Sequence, residues 1–100
     1  MDDIKRISIE IDRDHFIDVL SEELPSLRAK IGFTQDWIGN TIGISMQTYS
    51  AIETKIRRMP WNIYLSLIMF FTHNEKTKPI VESIGAFPEE LKDSFNISNR

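Results

Sequence analysis

The stretch TQDWIGNTIGISMQTYSAIE, residues 34–53, holds two short helix-forming runs separated by a single glycine, and it leaves the rest of the chain few ways to fold. Thr34 is a good N-cap, and Asp36 stands in the first turn, where the helix dipole favours negative charge. Ile38 and Ile42 fall four apart on one face. Gly43 follows, where a helix end often needs positive φ, and Ile44 can plug the corner. Ser45 is a second N-cap, opening a run whose inward face carries Tyr49 and Ile52. Two helices this short cannot bury enough surface alone, so flanking helices must complete the core.

The flanking sequence supplies them. Phe16, Leu20, Leu24, Leu27 and Ile31 recur at helical spacing, with Pro25 interrupting the stripe. An interior proline removes a hydrogen bond, so the sequence predicts a short helix over 14–22 and a second over about 24–31. Asp14, Asp18 and Glu22 stand four apart. They suggest either a cation site or a solvated acidic face, and the absence of a glycine turn or neutral oxygen ligands favours the latter. Pro60 suits a helix start, and residues 61–72 are apolar on most sides, as in a helix packed under several others. Further helices are expected from Thr77 to about Ile84, with Gly85 as stop, and from Glu89 to Phe95.

The N-terminus differs. Ile7, Ile9 and Ile11 alternate with Ser8, Glu10 and Asp12, the period of a half-buried strand. Such a strand needs a partner. It pairs with its copy in a second subunit, lies against the domain as an arm, or remains a frayed leader. The expected organisation is an arm or strand over 1–13, a core domain over 14–73, C-terminal helices over 74–95 and a disordered tail over 96–100.

Charge placement bears on partners more than the total does. The net charge is −3, which argues against a generic nucleic-acid binder. Yet residues 1–23 carry three basic and eight acidic side chains, whereas residues 24–64 carry five basic and two acidic. The basic surplus sits where phosphate would be approached. With no cysteine there is no disulfide framework and no thiol chemistry. The acidic start Met1-Asp2-Asp3, with no long apolar run after it, is unlike a signal peptide, and no span is long enough for a bilayer; a cytoplasmic setting is expected. His15 and His73 are far apart with no ligand-spaced partners, and neither a phosphate loop nor a nucleophile elbow is present. No enzyme, cofactor or metal is expected.

Leu27-Arg28, Thr34-Gln35, Ile38, Gly43-Ile44-Ser45, Gln47-Thr48, Ser50 and Ile52-Glu53 together resemble the lambda-repressor/Cro-like helix-turn-helix domain of bacterial and phage regulators. The resemblance covers residues 24–73 and extends through MPWNIYLSLIMFF, which is similar to the family's fourth helix. It implies an all-α bundle of about five helices that binds double-stranded DNA. Arg28 and Glu53 match a pair that forms a structural salt bridge in the family, and Gln35 resembles its phosphate-binding glutamine. Family members usually place glycine where Lys55 stands and a basic residue where Ile56 stands, so Lys55 must take positive φ or the helix must end differently.

With 100° per residue and Tyr49 inward, Gln47, Ala51 and Thr54 face outward, flanked by Met46 and Ser50. Gln47 can pair with adenine, Ser50 with either purine, and Met46 and Ala51 suit a thymine methyl; Met46 equally suits a core gap. Together with Gln35, Ser45 at the helix start and Lys55, Arg57 and Arg58 in the following loop, these make the expected DNA-binding set. The Tyr49 hydroxyl must reach the surface or find a partner. Trp37 belongs to a subunit interface or makes a rim contact with Phe33. The functional expectation is a repressor that binds a palindromic operator as a homodimer through the major groove. The alternative is an antitoxin-like or anti-repressor protein partner on the same scaffold.

Overall fold

The computed structural model describes residues 11–96, which form six helices: α1 (Arg13–Ile31), α2 (Gln35–Ile42), α3 (Met46–Glu53), α4 (Trp61–Thr72), α5 (Lys78–Ser83) and α6 (Glu89–Asn96). No strand occurs among the described residues. Of the expected arm, Ile7 and Ile9 lie outside them, as does the tail beyond Asn96, which itself ends α6.

The split expected at Pro25 is absent, and α1 runs unbroken through it. The reason is a balance of magnitudes. An interior proline costs about 3 kcal/mol. Ile17, Leu20, Leu24 and Leu27 are buried on one face of this helix, each burial contributing about 1.5–3 kcal/mol. Pro25 is exposed on the far side, where its ring meets solvent. The seven helical segments expected one by one therefore become six, because the two expected over 14–31 form the single helix α1. Asp12 caps α1, its carboxylate accepting from the His15 amide at 3.2 Å.

The two short helices are bounded by local chemistry. Thr34 and Ser45 accept from the amides of Trp37 and Thr48 at 3.0 and 3.1 Å, as N-caps do. At the end of α2, Gly43 takes φ 91°. Its amide bonds Asn40 O at 3.2 Å, and the Ile44 amide bonds Gly39 O at 2.8 Å, the paired bonds of a Schellman motif. The turn of Gly43, Ile44 and Ser45 folds α3 back onto α2 so closely that a Cβ at Gly39 would lie 3.1 Å from Ile44 O and 3.3 Å from Ser45 O. A side chain there would need that backbone to give way by a few tenths of an ångström.

Helix α4 is the centre of the core. Ile63, Tyr64, Leu67, Ile68 and Phe71 are buried beneath α1, α2 and α5. The Tyr64 hydroxyl donates to the Ala86 carbonyl, and Thr77 Oγ1 donates to Phe71 O at 2.6 Å, tying the C-terminal segment to α4. Thr77 thus serves packing and makes no side-chain cap for α5. Trp37 is 49% exposed, with its ring centroid 4.3 Å from that of Phe33 and 6.0 Å from that of Phe70. No helix among the described residues is long and apolar enough to cross a membrane.

Candidate nucleic-acid interface

Helix α3 is two-faced. Tyr49 and Ile52 are buried, and with them Glu53; Ser45, Met46, Gln47 and Thr54 are exposed, and Ser50 and Ala51 are half-buried. Met46 is 43% exposed, which removes it from the core and places its thioether beside Gln47 on the outward face. The Gln47 amide and the Ser50 hydroxyl form no hydrogen bond with the described residues, so both remain available to an external partner. Thr54 donates back to Ser50 O at 2.8 Å, and Ser45 donates to Thr48 Oγ1 at 3.0 Å. Both hydroxyl protons are therefore engaged within the helix, leaving lone pairs alone to face outward.

Beneath this face lies an ionic knot. Arg28 Nε and Nη2 meet the two Glu53 oxygens at 2.9 Å each, the bidentate geometry that suits guanidinium and carboxylate. Arg28 Nη1 also donates to Phe33 O at 3.1 Å, so one side chain ties α1, the α1–α2 turn and α3 together. Gln35, matched by resemblance to a phosphate ligand, is half-buried and donates to Glu53 Oε2 at 3.3 Å. The buried Tyr49 hydroxyl lies beside this pair without a hydrogen bond of regular geometry, and burial, followed by the Glu53 charge, raises its pKa. For Glu53 the largest influence is burial, which pushes the carboxyl up. The bonds from Arg28 and Gln35, the nearby Tyr49 hydroxyl and the Arg28 charge outweigh it and hold the group below its ordinary value.

The loop after α3 supplies the charge. Lys55 takes φ 67°, the left-handed conformation that glycine occupies most easily, and its amide bonds Ile52 O at 3.1 Å. Ile56 follows at 84% exposure. The acidic face of α1 is solvent-exposed, as expected, and it also carries ion pairs. Glu22 Oε1 meets Lys55 Nζ at 2.6 Å, and Asp14 and Asp18 each meet Arg58 at 3.0 Å. Arg57 is exposed and forms no ion pair with the described residues.

Those acidic contacts, the Gln35–Glu53 bond and the close approach at Gly39 were not anticipated from sequence. Only for Gly39 was a signal present: a glycine inside a helical run often marks a backbone neighbour. No group of three or more potential metal ligands occurs among the described residues. No protein-family model, curated protein or solved structure matches the chain.

Proposed function

We propose that this chain is a sequence-specific double-stranded DNA-binding protein of the lambda-repressor/Cro-like helix-turn-helix type. It acts as a transcriptional repressor in the cytoplasm, bound as a homodimer to a palindromic operator. In this reading α3 enters the major groove. Gln47 reads adenine N6 and N7, Ser50 a neighbouring purine, and Met46 and Ala51 a thymine methyl. Ser45 and Thr54 border the groove, and residues Lys55, Arg57 and Arg58 approach the phosphates beside it. Gln35 supports the site from below through Glu53. What carries the reading is the outward face of α3, where an unbonded amide and hydroxyl stand next to a loop with three cations.

Two substitutions test this orientation. Gln47→Ala is expected to cost about 1–3 kcal/mol on the preferred site and relax selection at one base pair, with random duplex barely affected. Arg57→Ala is expected to weaken preferred and random duplexes alike and to reduce the salt slope by roughly one unit. Selection from a random duplex pool, then isotherms at several salt concentrations, reads both. The reverse pattern would mean that α3 is turned the other way. Sedimentation equilibrium at micromolar concentration is expected to give a dimer on DNA, since one motif reads few base pairs. A 1:1 complex on a two-half-site duplex refutes that assembly.

A second reading is favoured by one observation: Ile56 and Trp37 are exposed while two loop cations are already paired within the chain. On that basis the scaffold serves as an antitoxin-like or anti-repressor module that contacts a protein. A duplex pool returning no enriched sequence would favour it.

A further inference from the structure

We propose that the acidic face of α1 is an intramolecular mask over the loop of residues 55–58, a regulatory contact that rests on the DNA-binding reading above. Asp14, Asp18 and Glu22 stand on successive turns of one helix and meet cations from a distant part of the chain. Lys55 is held by Glu22 at one end of the loop, and Arg58 is gripped by Asp14 and Asp18 at the other. Of the three loop cations, Arg57 alone has no carboxylate among the described residues.

A phosphate approaching Lys55 or Arg58 must displace a carboxylate, which is then left beside the polyanion with like charge. The exchange is accessible, because the Lys55 and Arg58 side chains are 51% and 55% exposed and the cleft between them and α1 opens to solvent. Exposed pairs of this kind are individually weak, so the mask weakens binding to any duplex without preventing it. Phosphate contacts carry no sequence information. The mask therefore lowers affinity for every duplex by the same factor and leaves base preference to α3. It keeps a chain of net charge −3 off bulk nucleic acid despite its basic loop.

The test compares the full-length triple variant Asp14→Asn, Asp18→Asn, Glu22→Gln with a control of equal net charge, Glu75→Gln, Glu82→Gln, Asp93→Asn. Elution from immobilised heparin reports the loop's available charge without any DNA sequence. The α1 triple is expected to elute at higher salt than the control. It should bind preferred and random duplexes about tenfold more tightly than the control, with an unchanged ratio between them and a salt slope steeper by roughly two units, one for each unmasked cation. Equal elution of the two triples makes the effect one of net charge and overturns the mask, as does an α1 triple indistinguishable from the wild type. If heparin elution shifts only for the α1 triple while no protein binds duplex, the mask stands and the DNA reading falls. Should the triple lose helicity, Glu22→Gln alone releases Lys55 and is expected to give about half of the slope change; no change in that variant overturns the proposal.

Discussion

Replacing Arg28 by alanine is expected to lower stability by about 2–4 kcal/mol, more than replacing its partner Glu53. The asymmetry follows from exposure. The Arg28 side chain is 26% accessible and that of Glu53 only 7%. Without Glu53, the guanidinium turns toward water and keeps its bond to the Phe33 carbonyl, so Glu53→Ala should cost about 1–2 kcal/mol. Without Arg28, a buried carboxylate retains only Gln35 and the poorly aligned Tyr49 hydroxyl. Thermal and urea unfolding of both single variants and the double variant measure the coupling, which should exceed about 1 kcal/mol. Additive losses would show that the pair contributes nothing beyond its separate members.

The same pair sets an acid limit. Glu53 is held below its ordinary value of 4.5, so the folded state binds this proton less readily than the unfolded chain. Its contribution is therefore present in full above that value and is lost as pH falls through the lower, folded-state value. Wild-type stability should drop below about pH 4.5 more steeply than that of Glu53→Gln. Parallel slopes for the two proteins in urea titrations between neutral and acid pH would remove Glu53 from acid unfolding.

Gly39→Val is expected to cost about 2–3 kcal/mol and, in the variant that remains folded, to abolish the DNA selection proposed for α3. A Cβ there already lies 3.1 Å from the Ile44 carbonyl and 3.4 Å from Tyr49 Cβ, and valine adds two methyl groups to that gap. The neighbour that must give way is backbone in the turn that aims α3, so relief can come only by rotating α3 away from α2. Helix propensity pulls in the opposite direction by a few tenths of a kcal/mol, too little to offset the crowding. Urea midpoints, together with a duplex selection on the folded fraction, check both parts. An unaltered midpoint would mean that the α2–α3 crossing is looser than the distances indicate.

The elements that were legible from residues alone are those governed by near neighbours. Thr34 and Ser45 cap helices because their oxygens reach amides three residues on, and Gly43 ends one because positive φ is cheap for it. The left-handed backbone of Lys55 was one of two outcomes implied by the resemblance, whose family usually has glycine at that place, and Lys55 takes it. The inward side of α3 could be anticipated from residues alone, since helical rotation fixes Tyr49 and Ile52 opposite Gln47. The pairing of Arg28 with Glu53, 25 positions apart, came from resemblance and not from periodicity, and the structure contains it.

Where long-range packing competes with a local rule, the sequence reading loses. Pro25 carries a local penalty, yet the continuous apolar face of α1 against α3 and α4 outweighs it, and that face acquires its value only once those helices are in place. Asp14, Asp18 and Glu22 do form a solvated face, but their ion pairs escaped the sequence reading because the cations stand 33 to 44 positions away. Gln35 lies at a helix start in sequence but beneath α3 in space, so its amide meets Glu53. The sequence by itself thus determined the caps and end of α2, the start of α3, the turn between them and the outward residues of α3, all set by contacts within one or two turns. Only the tertiary structure decided which charges meet, because ion pairing depends on distances of a few ångströms that the core establishes.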